Sequence, residues 1–110
     1  MVQYARPDAD TEKNNWTASS GSDLYAMIDE ESASDSDYIT VGDTGSGEEC
    51  TISLSSVTDP ASGSDHSVVV RAIDTGGSGY ITLNVNLKDG GTSIKNENFT
   101  PAGSAGNHTM

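Results

Sequence analysis

Five carboxylates fall within nine residues: Asp29, Glu30, Glu31, Asp35 and Asp37. With serines and backbone carbonyls between them, such a cluster could assemble the oxygen-rich shell that Ca2+ prefers. Asp29, Glu30, Asp35 and Asp37 are the candidate ligands of a structural Ca2+. No D-x-D-x-D-G loop is present, and a solvated acidic face explains the same run. Trp16, the single tryptophan, is the residue type that serves as a stacking platform for sugars. A platform needs a second aromatic at sugar spacing, and only Tyr4, Tyr25, Tyr38, Tyr80 and Phe99 are on offer. Burial in a core or against another subunit is the simpler role for Trp16. His66 and His108 have no His or Cys neighbour at metal spacing, so zinc has no support. Ser, His and Asp are plentiful, but neither a nucleophile elbow nor an oxyanion-hole signature accompanies them. A non-enzymatic protein is therefore expected. Cys50, the lone cysteine, rules out an intrachain disulfide and reads as a small buried hydrophobe in a strand.

The elements that must position these groups are strands. "CTISLSSV" alternates, with Cys50, Ile52 and Leu54 predicted to point inward. "DYITV" is a shorter strand. "HSVVVRAI" is apolar on both faces, as a central strand would be. "GYITLNVNL" places Ile81, Leu83, Val85 and Leu87 on one face and Thr82, Asn84 and Asn86 on the other, the pattern of a half-buried antiparallel strand. "KDGGTSI" adds turn chemistry and a return strand, a hairpin signal. "SDLYAMIDEES" fits a helix at Leu24, Met27 and Ile28, but also alternates through Leu24, Ala26 and Ile28. Its β-like surroundings favour an extended piece. Gly, Asp and Ser clusters at "VGDTGSGEE", "TDPASGSD" and "DTGGSG" supply the turns. The expected fold is an all-β antiparallel sandwich of jelly-roll type, with a barrel as the competing closure.

Composition sets further bounds. At 110 residues and 33% hydrophobics, one modest core is available, and a bound ion or neighbouring subunits would help its stability. The net charge is -12, with Arg6, Lys13, Arg71, Lys88 and Lys95 scattered along the chain. There is no basic patch for phosphates, so nucleic acid and anionic membranes are poor partners. No apolar run reaches membrane-spanning length. "MVQYARPDAD" lacks a basic n-region and an apolar h-region, which leads to the expectation of synthesis in a cytoplasm without that export route. Sequons at Asn15, Asn98 and Asn107 carry little weight without a secretion signal. The polar "NENFTPAGSAGNHTM" tail is expected to be disordered unless a neighbouring chain ties it down.

The ordered set "RPDAD…W…GS.LYAMIDE…SDYI", "C.ISLS.VTDP….HSVVVRA" and "G.ITLNVNLKDG" resembles small β-sandwich proteins and modules encoded in tailed-phage and prophage structural gene clusters. The resemblance spans about residues 5 to 95. It implies a carbohydrate-binding-like jelly roll in a virion-associated protein. Such sandwiches often hold a structural Ca2+. Family members continue for one or two strands beyond the segment matching "TSIKNENFTP". This departure leads to the expectation of an edge completed by segments exchanged between subunits. The resulting organisation is an extended N-terminal arm over 1–20, a sandwich over 21–97 and an extended tail over 98–110. The partner-binding residues expected are Val2, Tyr4, Arg6 and Trp16 at one end, and Phe99, Pro101, His108 and Met110 at the other. The function implied is a homo-oligomeric capsid decoration (cement) protein that bridges the major capsid protein or other virion subunits. A glycan-binding module of a tail fibre or appendage is the main alternative, and a self-assembling filament subunit a third.

Overall fold

A computed structural model describes residues 3–42, 47–58, 67–76 and 81–110. Val2, His66, Tyr80 and most of the predicted turn clusters over 43–46, 59–66 and 77–80 lie outside the described residues. The chain divides into two compact units, Met1–Ser62 and Gly63–Met110.

In the first unit, β1 (Pro7–Glu12) pairs antiparallel with β4 (Thr51–Leu54), and β2 (Thr17–Ala18) with β3 (Ile39–Thr40). The β1–β4 register runs Pro7 to Leu54, Ala9 to Ser53, Asp10 to Ile52 and Glu12 to Thr51, with irregularities at Pro7/Ala9 and Asp10/Glu12. Pro7 stands first in its strand, where its missing N–H costs least. The irregularities explain why the predicted alternation of β4 holds only in part. A bulged ladder re-aims side chains, so Cys50 and Ile52 are half-buried while Leu54 is 43% exposed. Within residues 1–20, β1 and β2 pair with strands of the same unit.

The "LYAMIDE" segment corrects the extended reading. It forms one 3-10 turn, Tyr25–Met27, with Met27 N–H bonded to Leu24 O at 3.0 Å and Ile28 N–H to Tyr25 O at 3.1 Å. The turn buries Leu24, which at 1% exposure is the one buried hydrophobic among the described residues.

The second unit holds β5 (Val69–Ala72), β6 (Leu83–Asp89), β7 (Thr92–Phe99) and β8 (Gly106–Thr109). The β6–β7 hairpin is the longest ladder, pairing Leu83 with Phe99 through to Asp89 with Thr92. Its two-residue turn uses Gly90 (φ 56) and Gly91 (φ 90). Positive φ at both central residues matches the right-handed twist of the strands and is open to glycine at little cost. A register shift sits opposite Leu87/Lys88.

Two expectations fail here. β5 was to be a central strand apolar on both faces. Instead Val69 and Arg71 are exposed while Val70 and Ala72 are half-buried, and among the described residues β5 pairs with β8 alone. The tail was to be disordered, yet it supplies β8, which pairs Val69 to Thr109, Val70 to His108, Arg71 to Asn107 and Ala72 to Gly106. Met110 closes the ladder through reciprocal backbone bonds with Val68 at 2.9 and 3.1 Å. A four-residue polar strand has little propensity of its own; pairing with a β-branched neighbour makes it a strand. The described ladders are all antiparallel and two-stranded.

Candidate functional site

The N-terminal candidates are anchored by their own chain. The backbone of Arg6 is fixed at Ser55, whose N–H donates to Arg6 O at 2.7 Å and whose hydroxyl accepts from Arg6 N–H at 2.9 Å. Its guanidinium donates to Glu30 O at 3.1 Å and lies 5.1 Å from the Tyr4 ring centroid, a cation–π distance. Tyr4 itself is 68% exposed. Trp16 is half-buried, and its indole N–H donates to Glu48 O at 3.1 Å. That bond fixes the ring edge, while Asn14, in the left-handed region at φ 49, donates to Glu49 O alongside.

Sequence reasoning missed the residue that organises this unit. Asp10 has a side chain only 7% exposed. Its two carboxylate oxygens accept the N–H groups of Leu24 (2.7 Å) and Tyr25 (2.8 Å), the amides left free at the start of the 3-10 turn. Lys13 Nζ stands 3.5 Å from Asp10 Oδ2, 4.0 Å from Asp23 Oδ1, and donates to Ser22 O. Burial raises the Asp10 pKa, but the two amides and Lys13 outweigh it and hold the carboxyl below its ordinary value. The signal available in sequence was weak: an acid in an alternating strand, fourteen residues before its partner.

Cys50 is half-buried. Burial pushes its thiol pKa up, and the charges of Asp10 and Glu49 add to that. The thiolate needed for reactivity is therefore disfavoured.

The acidic run is dispersed in its exposure: Asp29, Glu30 and Asp37 are half-buried and Asp35 is exposed. Among the described residues no group of three or more His, Cys, Asp or Glu is placed to hold a metal ion.

At the C-terminal end, His108 lies within β8 and Met110 extends the β5–β8 ladder. The Phe99 and His108 rings are 5.1 Å apart at 41°, Pro101 is buried, and Met110 is half-buried. Met110, Ser67, Val68, Leu87, Ile94 and Lys95 line an open groove of about 280 Å3. Near it in sequence, Asp74 is more than an ordinary turn residue. It is 4% exposed, donates its N–H to Ala102 O at 2.8 Å, and accepts Gly76 N–H on Oδ1 at 2.9 Å, with no hydrogen-bond partner for Oδ2 among the described residues.

The described geometry brings Phe99 and His108 together and pairs Met110 with Val68 in the second unit, and ties Arg6 and Trp16 to backbone carbonyls in the first. No helix among the described residues is long and apolar enough to cross a membrane. No protein-family model, curated protein or solved structure matches the chain.

Proposed function

We propose that the chain is a non-enzymatic structural protein that works by contact between surfaces, and that its place is the virion of a tailed phage, as a capsid decoration protein. The observation that carries the contact role is the imbalance of its apolar side chains. Leu24 is the one buried hydrophobic among the described residues, while Tyr4, Val69 and Ile94 are each more than half exposed. A chain with so lean an interior gains most from apolar area buried against neighbours. The resemblance of the ordered motifs to phage β-sandwich modules supplies the virion and the jelly-roll sandwich, made in the host cytoplasm and assembled on capsid subunits. Repetition over a symmetric lattice then turns a modest contact into tight overall binding.

A glycan-binding role on a tail appendage is the second reading, favoured by the exposed rings of Tyr4 and Tyr38 (52%) and disfavoured by the tied indole of Trp16. Quantitative mass spectrometry of purified particles that encode the chain separates the two. Decoration predicts copies in fixed proportion to the capsid lattice. A few copies per particle support the appendage, and absence from particles removes both.

A further inference from the structure

The outer edge of β7 is chemically self-complementary. Within the hairpin, Lys95 faces Leu87 and Glu97 faces Val85, so each charge sits opposite an apolar partner. The ion pairs found among the described residues belong to Lys13, not to these two. Among the described residues β7 forms a ladder with β6 alone. On the other face, Asn84, Asn96 and Asn98 are exposed and joined by side-chain hydrogen bonds, the Asn84 amide donating to Asn96 Oδ1 and, at 2.8 Å, to Asn98 Oδ1. Leu83–Phe99 is electrically neutral, with Lys88 and Lys95 against Asp89 and Glu97, inside a chain of net charge -12. Like-charged copies repel least where they are neutral.

From these observations we infer that β7 is the docking edge for a second copy of this chain, the two strands pairing antiparallel about a two-fold axis at Asn96. That register sets Lys95 opposite Glu97 of the other copy, Glu97 opposite its Lys95, and Asn96 opposite Asn96. Both charges left unmatched in the hairpin gain a partner, and the amide ladder continues across the interface. The bulge opposite Leu87/Lys88 limits the new ladder to about five residues, so the dimer is weak and governed by concentration. The inference goes beyond the virion reading and stands without it.

Sedimentation velocity from about 10 μM to about 1 mM tests it. The expected result is a monomer–dimer equilibrium weakened about ten-fold or more by either Lys95→Glu or Glu97→Lys, since each single reversal sets like charges opposite one another twice. Mixing the two variants restores the dimer, because one copy then presents two carboxylates and the other two ammonium groups at the facing positions. Lys95 is exposed and Glu97 half-buried, and circular dichroism checks that each variant is folded. A cysteine at 96 in a Cys50→Ser background supplies a separate readout. Directly opposed antiparallel residues stand about 4.5 to 5.5 Å apart at Cα, within disulfide reach, so Asn96→Cys should cross-link on oxidation and Asn98→Cys should not. A monomer at every concentration overturns the inference, as does a dimer indifferent to the charge reversals.

Discussion

The two units of this chain are each stabilised by different means. Residues 1–62 carry thirteen Asp and Glu against two Lys and Arg, a net charge of -11; residues 63–110 carry four against three, a net of -1. The acidic unit has short strands and one buried leucine, and side chains grip its backbone: Asp10 on Leu24 and Tyr25, Arg6 on Glu30, Trp16 on Glu48. The near-neutral unit relies on backbone ladders, above all the β6–β7 hairpin. Charge-assisted clamps respond to pH, whereas backbone ladders hardly do. The contrast teaches that acidity here is partly structural: one of the thirteen carboxylates is a linchpin, and among the described residues no others gather into a metal-binding group.

The largest break in the comparison should come from Leu24→Ala. Removing the buried side chain costs about 2–4 kcal/mol, and amide exchange should show the loss at Leu24–Ile28 well before the hairpin. Asp10→Asn comes next, at about 1–3 kcal/mol, because an amide has one acceptor oxygen, so the NH2 of the variant would face one of the Leu24 and Tyr25 N–H groups that Asp10 now satisfies with two oxygens. It also carries a pH signature. The folded pKa of Asp10 is depressed, so its stabilisation is complete above the unfolded value of about 3.9 and is lost as pH falls through the lower folded value. Chemical denaturation at pH 7 and at about pH 3 should show this loss in the native chain and a smaller one in Asp10→Asn.

In the second unit, Gly91→Ala should cost about 1 kcal/mol, since φ 90 is strained for any residue with a Cβ. Its melting shift should not depend on pH between 7 and 3. Trp16→Phe is the smallest change, about 0.5–1.5 kcal/mol for the lost indole bond to Glu48 O, visible as a modest fall in melting temperature.

Where local pattern decides the structure, the sequence was readable. The alternation through Leu83, Val85 and Leu87 and the Asp-Gly-Gly turn specify the β6–β7 hairpin without help from elsewhere. Where a distant group decides it, the sequence misled. "LYAMI" turns into a 3-10 segment because Asp10, on another strand, accepts its free amides. "GNHT" becomes β8 because β5 offers it a ladder, although its composition reads as a disordered tail. The alternation of β4 breaks at Leu54 because its partner strand is irregular. The bonds that fix Arg6 and Trp16, two of the terminal candidates, end on backbone carbonyls that no residue type announces.

The claim that the acidic unit is clamped by a carboxylate and the near-neutral unit by its ladder can be tested in a single titration. Amide chemical shifts and exchange protection followed by NMR from pH 7 to pH 2.5 report Leu24 and Tyr25 beside Val85 and Leu87 in one sample. The account predicts that the Leu24 and Tyr25 amides shift and lose protection together below about pH 4, while the hairpin amides hold theirs. Protection at Leu24 and Tyr25 that survives protonation of Asp10, or a hairpin that opens in step with them, would contradict it.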